Sequence, residues 1–480
     1  MTILFAASEM TPLARTGGLG DVIEALPASL AARGHDVSVI LPCYRGLREN
    51  PKLEVRPTGV RVPVGVGNKP LDAEVLECTG PAGVQVFLIR RDEYFDRPSI
   101  YGESGGAYGD NAERFIFFSR AVVELSRRLL PQPEILHLHD WQTALVAALV
   151  KERRLPFKTV LTIHNIAYQG SFWAFDFGLT RLPGDYFAPG KGLEFYGNMN
   201  LLKGGIVMAD AVTTVSERHA REIQTAEYGF GLDAVMRENS WKLSGILNGA
   251  DYEVWNPATD SLLPARFSPE DLSGKQTCRE ALLSETGLEP DPKGPVFAMV
   301  TRLASQKGLE LLFPVLDRLL ADDVRLVILG EGDPAYEREL LIASKRHFGR
   351  FAYCKDMNER LSHLIEGGAD VTLYPSFYEP CGLTAMYSLE YGALPIARAT
   401  GGLYEIIQDF DPTTGAGNGF LFFEANAEAL WDAIVRVKRL FQDKPTWREL
   451  MTRSMKCDFS WTHATQKYEA LYRNLLSGKR

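Results

Sequence analysis

The chain has 480 residues, 45% hydrophobic and 24% charged, a composition ordinary for a folded protein and a length too great for one core. Its 52 basic and 61 acidic residues give a formal net charge of -9, which argues against a nucleic-acid binder, and no apolar run is long enough to span a bilayer. Six scattered cysteines form no C-x-x-C pair, so a reduced, cytoplasmic setting is expected rather than a disulfide framework or a zinc knuckle.

The first predicted strand covers residues 2–8. The turn ARTGGLGD follows at 14–21, and a helix is predicted over 22–32. Further strands are predicted at 36–41, 84–90, 135–139, 158–164 and 211–215, with helices at 111–129 and 142–153. This βαβ alternation predicts a parallel sheet covered on both faces. The rhythm breaks from 248 to 294, which is rich in Pro, Asp, Ser and Gly. Strands resume at 295–302, 324–330, 350–354, 371–376, 394–399 and 419–423. The expected fold class is α/β: two Rossmann-like doubly wound domains, joined near residue 245, facing across a deep cleft. Ligands of such sheets bind beyond the carboxyl ends of the strands.

Common nucleotide motifs fail. Gly18-Leu19-Gly20 would open G-x-G-x-x-G, but the third glycine position holds Ile23. Gly190-Lys191 lacks the remaining Walker residues, with Asp185 and Gly192 in their places. His137, His139 and Asp140 sit at metal-like spacing, but without further ligands no metal is expected. The strand ends carry more. His139-Asp140, His164-Asn165 and Thr301-Arg302 each close a predicted strand, Lys307 begins the next helix, and Glu379-Pro380-Cys381-Gly382-Leu383 follows the strand at 371–376 and begins another helix. Arg and Lys there suit phosphates, helix-start amides add donors, and a carboxylate stabilises charge developing on a sugar carbon. The residues alone point to a two-domain enzyme acting on a phosphorylated or nucleotide-linked substrate.

Nearly end to end, the chain resembles the bacterial glycogen synthases and plant starch synthases. The stretches that carry the likeness are Ser8-Glu9, Thr16-Gly17-Gly18-Leu19-Gly20-Asp21, His139-Asp140-Trp141-Gln142, Thr162-Ile163-His164-Asn165, Leu201-Leu202-Lys203-Gly204-Gly205, Asn248-Gly249 and Val254-Trp255-Asn256-Pro257. Arg302 with Gln306-Lys307-Gly308, Glu379-Pro380-Cys381-Gly382-Leu383-Thr384 and Thr400-Gly401-Gly402-Leu403 complete the set.

The resemblance implies a GT-B fold with an N-terminal domain over 1–245, a donor-side domain over 246–460, and a last helix, 461–480, returning to the first domain. It implies retaining transfer of glucose from ADP-glucose to the non-reducing end of an α-1,4-glucan, without metal or other cofactor. UDP-glucose as donor, or another retaining GT-B transferase such as a sucrose or sucrose-phosphate synthase, is the alternative. The implied catalytic residues are Glu379, His164, Asp140, Arg302 and Lys307. The implied donor-binding residues are Arg15, Gly17, Gly18, Asn248, Cys381, Gly382, Leu383 and Thr384. Glu9, Asp21, Asn165 and Tyr94 are acceptor or supporting positions, Tyr94 as a stacking surface for an acceptor sugar. The chain departs from the family at three places: Arg15 for the usual lysine, Ala385 for a common glutamine, and Met357 for an aromatic near the nucleobase.

Overall fold

The run Thr2–Ala6 is apolar and buried from Ile3 onward, and its strand (β1) lies at the centre of a nine-stranded sheet. The other strands are β2 (Asp36–Pro42), β3 (Arg56–Val66), β4 (Lys69–Thr79), β5 (Gln85–Arg90), β6 (Ile135–His139), β7 (Lys158–Ile163), β8 (Ala211–Thr214) and β9 (Leu243–Gly245), in the order β9-β8-β7-β6-β1-β2-β5-β4-β3. Pairing from β9 to β5 is parallel. The edge formed by β4 and β3 is antiparallel, and the sequence reading did not foresee it. These two strands form a hairpin in which Val66 faces Lys69 across Gly67-Asn68. Pro57, Pro63 and Pro70 weaken the strand pattern of this segment; the first two lie on the edge strand β3, and Pro70 lies on β4 ahead of its pairing with β5, which starts at Glu74. The computed structural model describes residues 1–103, 106–355 and 358–478. Met357 lies outside the described residues.

The chain forms two units. Residues 1–215, 220–247 and 461–480 make the first; 216–219 and 248–460 make the second. In the first, helices α1 (Gly18–Ala32), α2 (Asn111–Ser126) and α3 (Asp140–Glu152) bury their apolar faces in the same core as β1, β2 and β6.

The second unit has a six-stranded, wholly parallel sheet: β10 (Val296–Val300), β11 (Arg325–Leu329), β12 (Phe351–Cys354), β13 (Val371–Tyr374), β14 (Leu394–Arg398) and β15 (Phe420–Phe422), ordered β12-β11-β10-β13-β14-β15. Separate apolar clusters cover its two faces, as a sheet buried on both sides requires. The segment 248–294 carries no strand among the described residues, but it holds a helix, Ser273–Glu285, whose Cys278 and Leu282 are fully buried. Helices α4 (Leu309–Leu320), α5 (Leu383–Glu390) and α6 (Gly401–Ile406) follow β10, β13 and β14.

In both sheets the strand order reverses beside the first strand of the sheet. The reversal falls between β1 and β6 in the first unit and between β10 and β13 in the second. In sheets of this kind, ligands bind beyond the carboxyl ends of the strands at such a reversal.

The last helix, α7 (Trp461–Leu476), packs on the first unit. Tyr468 and Tyr472 are fully buried there, and the Tyr472 hydroxyl meets His137 Nδ1 at 2.7 Å. Glu469 accepts two hydrogen bonds from Arg33 (2.8 and 2.9 Å) and lies 2.9 Å from His35 Nε2. The Arg33 bonds come first among the causes holding its carboxyl down at about 2. A depressed carboxyl stabilises the fold above its ordinary pKa of 4.5, and that stabilisation is lost as pH falls towards about 2. Glu469→Gln is therefore expected to lower the melting temperature near neutrality, by an amount that shrinks across that acid window. Thermal melts of both proteins over the window check this; a constant difference would contradict it.

Candidate active-site groups

In the first unit the loop after β1 carries Glu9, and Glu9 holds the glycine turn in place. Its buried carboxylate accepts the backbone N–H groups of Thr16 (2.5 Å) and Gly17 (3.1 Å), the Thr16 hydroxyl (2.8 Å) and the Tyr101 hydroxyl (2.6 Å). The Gly17 amide is thus already committed. The amides of Gly18 and Leu19 open α1, where the helical pattern supplies no partner. These are the donors left for an anion, and the helix dipole favours one there. Arg15 stands half-exposed beside the turn, its guanidinium 3.1 Å from the Asp21 carboxylate. Asp21 also accepts from the Thr11 hydroxyl at 3.0 Å; burial raises its pKa and Arg15 eases the rise.

Across the strand reversal, β6 ends in His139 and Asp140. Asp140 takes the first position of α3 with a left-handed φ of 56°, a conformation Asp tolerates better than most residues. Its carboxylate accepts the His164 backbone N–H at 2.7 Å and that of Asn165. Even so, burial drives its pKa up to about 7, and the charge of Glu9 adds to the rise. His164, after β7, lies with its Nε2 2.9 Å from His139 Nδ1. Burial pushes His164 down to about 3 and His139 well below the ordinary histidine value. Both rings are neutral, so a single proton lies between those nitrogens and His139 fixes the orientation of the His164 ring. The Asn165 side chain closes its own turn by accepting the Ala167 N–H at 3.1 Å.

Tyr94 does not fit the role expected of it. Its ring is buried, 5.1 Å from the Phe117 ring centre, and its hydroxyl donates to Glu113. A ring packed this way has no open face for a sugar.

In the second unit the loops after β10 and β13 are stitched together. The Phe377 N–H donates to the Gln306 carbonyl (2.9 Å), and Gln306 Nε2 donates to the Tyr378 carbonyl (3.2 Å). Gly308 permits this: its φ is 70°, and a Cβ there would lie 1.9 Å from the Pro375 carbonyl oxygen. The stitching sets Lys307 Nζ 2.5 Å from Glu379 Oε2, with the Ser376 hydroxyl donating to the same oxygen at 3.2 Å. Arg302, from the same loop as Lys307, is exposed, and its guanidinium has no bond to any described residue.

Gly382 caps α5 with φ 92°, leading into Leu383 and Thr384. Gly401 and Gly402 lie so close that added Cβ atoms would fall 1.9 Å from the Glu379 and 1.8 Å from the Cys381 carbonyl oxygens. The starts of α5 and α6 therefore converge on Glu379 and Cys381. The Cys381 thiol is buried, and burial pushes it up to about 12 although Asn248 acts to lower it, so it stays a neutral thiol. Among the described residues no group of three or more His, Cys, Asp or Glu is placed to hold a metal ion.

The structure thus gathers Glu9, Arg15, Gly17, Gly18 and Asp21 around one turn, and Asp140, His164 and Asn165 around the next strand ends. In the second unit it gathers Lys307, Glu379, Cys381, Gly382 and Asn248. Sequence reasoning missed Tyr101, Ser376 and the positioning part of His139. Tyr101 reaches Glu9 from 92 positions away, a separation no local pattern signals.

A family model of the starch synthase catalytic domain matches residues 2–238, and one of group 1 glycosyl transferases matches 285–447. The chain is 46% identical to the glycogen synthase of Koribacter versatilis, over 98% of each chain. It is 44% identical to that of Myxococcus xanthus, over 99% of this chain and all of the relative. The catalytic domain of starch synthase IV from Arabidopsis thaliana, solved with ADP and acarbose, superposes with a TM-score of 0.92 at 34% identity, covering 99% of each chain. Sucrose-phosphate synthase from Thermosynechococcus elongatus shares the fold at 16% identity, with a TM-score of 0.64 over the whole of both chains.

Proposed function

The chain belongs to the glycogen and starch synthase family, and from that premise we propose that it transfers glucose from ADP-glucose to the non-reducing end of an α-1,4-glucan with retention of anomeric configuration. Glucosyl transfer from a nucleotide sugar to a glucan is the activity of that family, and the two doubly wound units are those of the GT-B fold. The observation that carries the chemistry is the Lys307–Glu379 pair at the strand reversal of the second unit, with uncommitted Arg302 on the same loop. Two cations there neutralise the diphosphate as it leaves, when its negative charge is greatest. The amides opening α5 bind the sugar and phosphate side of the donor, beside Glu379. In the first unit, Asp140 and His164 act on the glucose and acceptor, and the turn at Gly17 and Gly18 meets the distal phosphate.

ADP as the nucleotide is supported by the ligand of the Arabidopsis starch synthase structure. A cytoplasmic location belongs to the same reading. It is supported by six cysteines without a disulfide, and no described helix is long and apolar enough to cross a membrane. The test is incorporation of labelled glucose into glycogen from ADP-glucose and UDP-glucose at equal concentrations, in excess chelator. Faster transfer from ADP-glucose, into product cleaved by an α-1,4-specific hydrolase, is expected. Faster transfer from UDP-glucose would overturn the donor assignment, and no transfer from either would overturn the reading itself.

A further inference from the structure

A cavity of about 500 Å³ opens beside the edge strand β3 of the first unit, lined by Gly65, Arg120, Glu124, Glu152, Arg153 and Arg181 among others. Arg120 lies inside α2 and is only 8% exposed. One arm donates to the Thr180 carbonyl at 2.8 Å, while its Nε is buried without any partner. No described carboxylate lies within ion-pair distance of Arg120 or of Arg181. Buried guanidiniums normally find an anion, because leaving one uncompensated is costly.

Arg181 stands beside Gly65. It has a left-handed φ of 58° after the short helix Ala174–Thr180, and its guanidinium lies over Gly65. A Cβ on Gly65 would fall 1.8 Å from Arg181 Nη1. Glycine inside a strand weakens it and commonly marks a close approach; here the space is kept for a cation. Arg153 completes the group. It donates to Glu124 at 2.6 Å and lies 3.9 Å from Glu152, but Glu124 also serves Arg127 and Arg128, so two carboxylates face the three guanidiniums. The neighbouring guanidiniums repel one another. Arg120 is pushed down to about 10, by burial first and then by Arg153 and Arg181. The protein has assembled three cations around one open space and neutralised them incompletely.

We propose that this cavity binds a phosphate group, free or as a monoester, through Arg120, Arg153 and Arg181. Guanidinium forks match the oxygens of a phosphate dianion, and three of them provide more donors than one anion needs. The volume lies within the range of small-molecule sites and exceeds a single phosphate, so a monoester has room for its organic part.

The test is titration calorimetry on the full chain with inorganic phosphate and, separately, glycerol 3-phosphate, the donor site being saturated with ADP. The readout is the difference between the wild type and two variants, Arg181→Ala and Gly65→Ala, the second of which displaces the Arg181 guanidinium. That difference is read whether or not ADP occupies a donor site, so its failure is distinct from failure of the glucosyltransferase reading. Saturable binding of one equivalent, weakened about tenfold or more in both variants, is the expected result. Tighter binding of glycerol 3-phosphate identifies a monoester as the ligand; equal or tighter binding of phosphate identifies the free anion. Arg181 is exposed and unpaired, so Arg181→Ala is expected to keep the wild-type melting temperature and glucosyl transfer rate. The absence of saturable binding in the wild type, or equal affinity in all three proteins, would overturn the proposal.

Discussion

Glu379→Gln and Lys307→Ala are each expected to lower kcat by at least tenfold, equivalent to about 1.4 kcal/mol of barrier. The two groups meet at 2.5 Å and both side chains are largely buried, so each fixes where the other points. Glutamine keeps the volume of Glu379 and removes its charge. Lys307 is then free to swing from the place where it would meet the departing diphosphate. Alanine at 307 removes the cation itself and leaves Glu379 with only the Ser376 hydroxyl. If Glu379 works only by aiming Lys307, the double variant Lys307→Ala/Glu379→Gln will be no slower than Lys307→Ala. If Glu379 also touches the transferred sugar, the double variant will be slower than either. Steady-state kinetics on folded protein, checked by thermal melts because breaking a buried pair destabilises, separates these outcomes. Near-normal turnover in both single variants would remove the pair from the chemistry.

The second large effect concerns Asp140. With its pKa raised to about 7, chiefly by burial, its ionised fraction changes across neutrality. If the carboxylate is the working form, kcat/KM rises with pH through about 7 and levels off above it. Asp140→Asn is expected to remove that limb and to lower kcat on the order of 10²-fold, as loss of a placed charge does elsewhere. Stability should move the other way. A carboxyl raised above its ordinary 3.8 adds stability below 3.8 that is lost as pH rises through about 7. Above that pH the wild type carries a buried charge that the variant lacks. Asn accepts the left-handed backbone at this position about as readily as Asp, so no new strain offsets the gain. The variant is thus expected to melt higher than the wild type in mildly alkaline buffer, with the advantage vanishing towards acid pH. A variant both inactive and less stable at alkaline pH would show that the carboxylate is structural.

The strands flanking the site were legible because their sequences are short apolar runs that stop at a polar residue. Ile135–His139 and Lys158–Ile163 are of this kind, and their ends carry Asp140 and His164. The β3–β4 hairpin was not legible, although Gly67-Asn68 between alternating runs is a hairpin signal. Its prolines weaken the strand signal, and they are harmless only because they lie on the edge strand or outside the β4–β5 pairing. Tyr94 shows the opposite failure. An aromatic beside charged residues looks like a sugar platform in sequence, while packing against Phe117 decides otherwise. The role of Glu9 was also hidden. Its four hydrogen bonds turn an apparent substrate contact into the support of the glycine turn.

The return of α7 to the first unit sets an order of assembly. Translation proceeds from the first unit through the second before α7 leaves the ribosome. Until then Arg33 and His35 lack Glu469, and His137 lacks the Tyr472 hydroxyl. The unit synthesised first is therefore completed last, while the second unit has all its strands beforehand. A chain truncated before Trp461 and released from the ribosome will hold a finished second unit and an open first one. Protease added to such truncated chains will cut the first unit and spare the second.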